Sequence, residues 1–139
     1  MPDTPETGER PLPYLIHTNR ELGLMLKGAK PLAVFGWIEG YEIDSVSRYL
    51  RMFDRHVAGG SFAKHQRVRP VPQLPNLREY QVCYTLPGHE WRVDALHRLF
   101  DTPEPWTAAH ERRFGELLGY EDWQNNIWLK GFHQAEGPR

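Results

Sequence analysis

The chain has 139 residues, of which 40% are hydrophobic and 25% charged, with a formal net charge of −1 and one cysteine. This length and balance predict a single folded domain rather than a disordered chain, and a net charge near zero attracts no partner by bulk charge. The lone Cys83 excludes an internal disulfide and any zinc site built on paired cysteines.

The first 13 residues carry four prolines and several charges, which predicts a flexible, Pro-rich tail. This segment lacks the apolar core of a signal peptide, and no apolar run reaches the roughly 20 residues that span a bilayer. We therefore expect a cytoplasmic protein without membrane contact. Its globular domain should cover residues 14–132, and residues 133–139 should form a frayed end.

The first predicted elements are a short helix and a strand. The segment HTNRELGLMLKG has an apolar stripe and a glycine at position 28 suited to a helix end. The run LAVFGWI, residues 32–38, is uninterrupted by polar side chains and lies between Pro31 and Gly40. Such a run predicts a strand that is covered on both faces.

The clearest helix is predicted for residues 45–57. Its apolar side chains recur at helical spacing and form one continuous face, and a Gly-Gly pair follows it; these side chains are Val46, Tyr49, Leu50, Phe53 and Val57.

A hairpin is predicted next, with strands near residues 62–71 and 79–86 joined by a Pro-rich loop. The second strand alternates cleanly between apolar and polar side chains. The first alternates poorly and contains Pro70, which is typical of an edge strand.

Three helices are predicted to close the chain: one after Pro87-Gly88, one over residues 106–118 that stops at Gly119, and one in YEDWQNNIWL. The order of elements predicts an α+β fold, a small single domain with a short mixed or antiparallel sheet packed against helices.

The stretch LPGHEWRVDALHRLF tests whether the chain carries catalytic or metal-binding chemistry. On a helix, its charged side chains from Glu90 onward gather on the side opposite the apolar residues, as on a solvated surface. His89 and His97 are eight residues apart, whereas the H-E-x-x-H zinc motif needs two histidines four apart. His89 lies in the Pro-Gly turn, where neither solvation nor helix pairing explains it.

No phosphate-binding loop or nucleophile elbow is present in the sequence, and we expect no cofactor and no metal. His110 falls within the apolar stripe of its helix, a position that suits a core histidine or a tuned acid or base. If the protein is an enzyme, the residues expected to line its cleft are His89, Glu90 and His110.

Positive charge is concentrated between residues 48 and 69. This window has six basic residues and one acid, a net of +5, which leaves −6 for the rest of the chain. A basic helix followed by a basic hairpin resembles the layout of a winged helix-turn-helix, in which such side chains contact phosphates; the six residues are Arg48, Arg51, Arg55, Lys64, Arg67 and Arg69. Against this stands the apolar strand before the helix, where a winged helix has a further helix. The alternative is that the basic residues pair internally with the acidic C-terminal half of the chain.

The last helix is rich in aromatic residues. Tyr120, Trp123 and Ile127 share one face, whereas Trp128 lies about 80° to 140° around the helix from them. One interpretation is that the shared face packs inward and Trp128 is available to a partner, as an interface anchor. The alternative is that the helix lies across the core and both faces are covered.

These observations favour a non-catalytic protein–protein interaction or regulatory module, whose partner is another protein or a second copy of the chain. Nucleic-acid binding through the basic residues is the first alternative. A small enzyme with a histidine-containing cleft is the second.

Overall fold

Helices cover both faces of a three-stranded antiparallel sheet in the computed structural model, which describes residues 12–131 and residue 139. This confirms the predicted α+β fold. The elements in chain order are α1 (Glu21–Leu26), β1 (Leu32–Ile38), α2 (Asp44–Ala58), β2 (Ala63–Val71), β3 (Leu74–Thr85), α3 (Trp91–Phe100), α4 (Ala108–Leu118) and α5 (Asp122–Lys130).

The sheet has the strand order β1-β3-β2, so β3 is central and both other strands are edges. Val82 of β3 pairs with Phe35 of β1 on one side and with Gln66 of β2 on the other. Alternate side chains of a strand point to opposite faces. The central strand therefore supplies two separate cores.

The first core lies between the sheet and the layer formed by α1 and α2. Val82 and Tyr84 pack there with Met25 and Phe53, all essentially buried. The second core lies on the other face, where Cys83 of β3 packs with side chains of α3 and α4. Burial raises the pKa of the Cys83 thiol to about 12, so this cysteine stays protonated and behaves as a small packed side chain.

The structure confirms the strand predicted over residues 32–38, but only the first part of this strand is covered on both faces. Its bounds are those predicted, and its first residues are covered on both faces, because Leu32 belongs to one core and Ala33 to the other. However, β1 is an edge strand, and Gly36 in its second half is exposed.

The hairpin also differs from the prediction in one respect. The predicted strands leave residues 72–78 as the loop, but Val71 pairs with Leu74, so only Pro72 and Gln73 form the turn. The register breaks between Pro70 and Val71, which lets the strand continue past this Pro-rich segment.

The chain turns sharply between α4 and α5 at Gly119. This residue has a φ of 97°, and a Cβ at this position would overlap the Pro31 ring. Both the left-handed conformation and the close approach require glycine, which explains why the helix stops here as predicted.

The two ends of the chain are described only in part. Most of the predicted N-terminal tail, residues 1–11, lies outside the described residues, as do residues 132–138. Arg139, which belongs to the predicted frayed end, is buried. Among the helices described, none combines the length and apolar character needed to cross a membrane.

Candidate functional site

A cavity of about 600 Å³ lies along the outer edge of β1. Val34, Phe35 and Gly36 line it from the strand. One wall comes from α1, α2 and the segment before α1, through Thr18, Asn19, Glu21, Val46 and Tyr49. The opposite wall comes from α4 and the residues around it, through Trp106, Glu111, Phe114 and Leu118. The two helical layers therefore extend past the edge of the sheet and enclose a slot between them.

A smaller pocket of about 60 Å³ continues this concave surface. It shares Gly36 and Val46 with the larger cavity and is also lined by Trp37 of β1. Tyr41 and Ile43 form its outer margin and are among the most exposed large hydrophobic side chains described. The two pockets together follow the direction of the strand.

The outward-facing backbone groups of β1 in this slot have no main-chain partner among the described residues. Near its ends, β1 is bonded to the central strand through the main-chain N–H of Glu39 (2.8 Å) and the carbonyl of Pro31 (3.1 Å). In an antiparallel pair, alternate residues point both backbone groups toward the partner strand. The odd-numbered residues of β1 therefore face β3, and Val34 and Gly36 face outward. No hydrogen bond joins their main-chain groups to any described residue outside the sheet.

The opposite edge of the sheet is protected in a way that β1 is not. β2 carries Lys64, Arg67 and Arg69, and Pro70 stands at a position whose missing N–H would have pointed outward. Charges and proline are the usual means by which proteins prevent unwanted strand pairing. β1 contains no charge and no proline.

Aromatic side chains line both walls of the cavity. The ring of Phe35 meets that of Tyr49 edge to face at 5.8 Å, and the Tyr49 hydroxyl donates to Glu21 Oε1 at 3.1 Å. On the α4 side, Trp106 meets Phe114 edge to face at 6.1 Å. A concave, largely apolar surface with few polar groups is typical of a binding site.

A buried lysine closes one end of the cavity. Lys30 is only 1% exposed, and its Nζ lies 2.9 Å from the Leu118 carbonyl oxygen and 2.8 Å from His17 Nδ1. Burial lowers the pKa of Lys30 to about 7. Burial and the neighbouring Lys30 lower the pKa of His17, which stacks on Tyr120, to about 3. Burial favours the uncharged amine, and these two contacts match its two N–H groups.

A second buried polar cluster adjoins the cavity and holds the guanidinium of Arg139. The Arg139 side chain is 2% exposed and lies between the rings of Tyr120 and Trp128, 4.6 Å from each ring centre. Its two terminal nitrogens donate to the Glu111 carbonyl oxygen (3.1 Å) and to Asn125 Oδ1 (2.7 Å). We call the surrounding residues, Glu111, Gly115, Tyr120, Asn125 and Trp128, the guanidinium box.

The Glu111 carboxylate supplies the negative charge of the box. Its two oxygens accept from the indole N–H groups of Trp106 and Trp128, each at 2.9 Å. Arg139 lies 3.4 Å from the oxygen that Trp128 contacts. Gly115 provides the space, because a Cβ there would overlap both Asn125 and the guanidinium.

The three candidate catalytic residues do not come together at this site. His89 lies before α3 and its Nδ1 accepts from Arg92 Nε at 3.1 Å, while Glu90 is exposed at the start of the same helix. His110 serves a structural role, because its Nδ1 accepts the main-chain N–H of Thr107 at 2.9 Å in the capping box of α4. None of the three lines either pocket.

The six basic residues of the predicted winged-helix surface are divided between separate surfaces. Lys64 faces α2 and pairs with Asp54 at 2.8 Å. Arg67 and Arg69 point to the opposite face of the sheet, where both reach Asp101. Residues of odd and even number in a strand point to opposite sides, so a basic run cannot form one surface.

The remaining three basic residues, Arg48, Arg51 and Arg55, are exposed on α2. No salt bridge links them to any acid in the part of the chain that is described.

Trp128, the candidate interface anchor, lies on the buried side of α5. Trp128 is 9% exposed and belongs to the guanidinium box, whereas Trp123 is 46% exposed. The buried face of α5 includes the polar Asn125, whose side chain binds Arg139, so hydrophobicity alone misidentifies that face.

Within the described residues, no group of three or more His, Cys, Asp or Glu side chains could hold a metal ion. Comparisons with known protein families, with curated proteins and with solved structures found no match. The functional argument therefore depends on the geometry of the slot and the box.

Two glycine substitutions should have opposite effects on stability. Alanine normally stabilises a helix interior by about 1 kcal/mol relative to glycine. Gly23→Ala in α1 meets no atom within 4 Å and should show this gain. Gly115→Ala overlaps the occupied box and should instead lose about 1–3 kcal/mol, the usual cost of overpacking. Urea unfolding measures both, and an equal gain at Gly115 would contradict the packing of the box.

The stability of the protein should rise with pH because of Lys30. Its pKa is about 7 in the folded chain and 10.5 ordinarily, so the unfolded chain binds more protons between these values. The cost of burying Lys30 is fully present below pH 7 and is relieved above it, by at most about 1.4 kcal/mol per pH unit. Lys30→Met should flatten the rise between about pH 7 and pH 9, whereas Lys27→Met, at an exposed position, should keep it. Parallel plots of stability against pH for the unmodified chain and both variants would refute the assignment of this rise to Lys30.

Proposed function

We propose that this chain is a non-catalytic binding module that takes an extended segment of another protein along the free edge of β1. The observation that carries the proposal is the position of Val34 and Gly36, whose outward-facing backbone groups lie in the slot between the helical layers. Unpaired backbone groups at a sheet edge are what an incoming strand uses in β-augmentation.

The shape of the site supports an extended ligand rather than a compact one. The larger cavity and the smaller pocket meet at Gly36 and Val46, so their combined surface follows β1. Val34 and Gly36 are two residues apart, about 7 Å along a strand, which is the repeat of an antiparallel partner. A paired segment would therefore run through both pockets.

The walls indicate what side chains the segment should carry. Successive residues of a strand point to opposite faces. One face of an added strand would meet Tyr49 and Val46, and the other would meet Trp106 and Phe114. Because both walls are largely apolar, the favoured ligand has apolar side chains on both faces, as do strands buried in a sheet between two helical layers.

The same walls favour a free segment over a second copy of the chain. In a second copy, β1 would bring its own flanking helices to the contact, and these would meet the helices that enclose the slot. A segment without such flanking layers can enter. We therefore take the partner to be an unfolded or loosely held stretch of a different protein.

A cytoplasmic setting is part of this proposal. The single, buried thiol of Cys83 suits a reducing compartment and supports this setting.

Gly36→Pro should remove binding without breaking the sheet. The N–H of residue 36 faces the slot, so proline costs no β1–β3 hydrogen bond but places its ring where a partner strand would pair. The probes are linear peptides enriched from a random heptapeptide display library on the immobilised chain, then synthesised and measured by fluorescence anisotropy. We expect binding at least tenfold weaker, a loss of about 1.4 kcal/mol or more.

Two variants control for this change. Gly36→Ala keeps the N–H, and its Cβ makes only an ordinary 3.5 Å contact with the Tyr80 carbonyl oxygen, so binding should persist. Gln66→Pro introduces proline on β2, at an outward-facing position on the opposite edge of the sheet. This variant should also bind the peptides. Hydrogen exchange at the Val34 and Gly36 amides should slow in the complex. If no enriched peptide protects these two amides, strand addition at β1 is excluded.

Nucleic-acid binding is a second candidate, supported by the three exposed arginines of α2. Arg48, Arg51 and Arg55 lie at helical spacing along one side of this helix and have no acidic partner among the described residues. Such a row can contact successive phosphates, with an affinity that falls steeply with salt. Lys64, Arg67 and Arg69 are already paired with acidic side chains, so they support nucleic-acid binding less strongly.

If α2 binds nucleic acid, the triple variant Arg48/Arg51/Arg55→Ala should lose most retention on duplex DNA at low salt. The matching variant Arg67→Ala, on the other side of the sheet, should keep it. Negligible retention by the unmodified chain and the triple variant alike would end this candidate.

A further inference from the structure

The guanidinium box has the features of a binding site for an arginine side chain. Two aromatic rings hold the planar group from both sides, and a buried carboxylate supplies the opposite charge. Arginine is the side chain that stacks on aromatic faces and forms several directed hydrogen bonds at once, whereas lysine is a compact point charge. The box therefore selects for guanidinium and not simply for positive charge.

All the residues of the box come from α4, α5 and the turn between them. Glu111 and Gly115 lie on α4, Tyr120 follows Gly119, and Asn125 and Trp128 lie on α5. Arg139 is not part of this unit and comes after the end of α5 in the chain. The geometry of the box is thus set by two consecutive helices, and Arg139 occupies it as a tethered ligand.

An empty box would lower the stability of the folded chain, because the Glu111 carboxylate would stay buried with only two indole N–H donors. Breaking a buried ion pair leaves an uncompensated charge, which is strongly destabilising. The Nε of Arg139 is itself buried without a partner among the described residues, so its guanidinium does not use all its donors. The box requires a cation, but its present occupant is not fully bonded.

The box is also connected to the cavity. Glu111 and Arg139 both line the cavity at β1, so a molecule in the cavity can reach the carboxylate if Arg139 moves away. This provides an entry path that does not require α4 and α5 to separate.

From these contacts, we infer that the guanidinium box is a receptor for an arginine side chain of another molecule, and that Arg139 occupies it as an intramolecular competitor. The inference goes beyond strand pairing and does not depend on it, because the box lies on α4 and α5 and not on β1. A competitor tethered by a short segment has a high effective concentration. A free arginine ligand therefore binds weakly until Arg139 is removed or displaced.

Arg139→Ala should expose the receptor to N-acetyl-arginine amide. The measurement is NMR titration of the Trp128 indole N–H, which lies inside the box. We expect a saturable shift in the variant, with an affinity at least tenfold higher than in the unmodified chain. N-acetyl-lysine amide should bind at least tenfold more weakly than the arginine probe. The additional change Glu111→Gln, which removes the charge but keeps the side-chain shape, should weaken arginine binding at least tenfold.

The outcomes separate a receptor from a structural tether. A folded Arg139→Ala variant without a saturable shift, or with equal affinity for the arginine and lysine probes, overturns the inference. If this variant does not fold, millimolar arginine probe should restore the folded NMR spectrum and the lysine probe should not. Failure of that rescue also overturns it. Peptide binding by the Gly36→Pro variant is measured separately, so a failure at β1 is distinguishable from a failure at the box.

Discussion

The fold depends on the position of β3, a central strand whose alternate side chains enter two separate cores. Val82 and Tyr84 pack toward α1 and α2, while Cys83 packs toward α3 and α4. Both faces of a sheet in this situation must be covered, because each carries apolar side chains that would otherwise meet water. The sheet has only three strands, and the helical layers that cover it extend past its edge at β1. The slot is thus a direct consequence of a narrow sheet between two wider layers.

The two edges of this sheet have opposite chemistry, and the difference bears on function. An apolar edge strand without charge or proline is a risk for uncontrolled association. At β1, this edge lies between the two walls of the slot. At the other edge, β2 carries charged side chains and Pro70. An open but enclosed edge is therefore suited to selective pairing.

Buried charge is concentrated around the slot. Lys30 and His17 lie at one end, and Glu111 and Arg139 lie in the box beside it. Buried ionic groups contribute little to stability compared with well-packed apolar side chains, because desolvation opposes their attraction. They lie beside one cavity, and buried groups with perturbed pKa values are typical of binding sites. Lys30 also serves to close the end of α4, since it donates to the last carbonyl of that helix.

The sequence alone determined the elements that depend on local periodicity and backbone chemistry. The bounds of β1 and the helix over residues 44–58 follow from apolar spacing, and the stop at Gly119 follows from the conformational freedom of glycine. Both properties depend only on residues that are neighbours in the chain. Tertiary structure decided which faces are covered. Helical spacing separated Trp123 from Trp128 but could not say which one is buried, because that depends on Arg139 docking against α5. The slot and the box join groups far apart in the chain, and no local pattern encodes their distance. The sequence therefore predicted the parts, and the long-range packing between them decided where a ligand could bind.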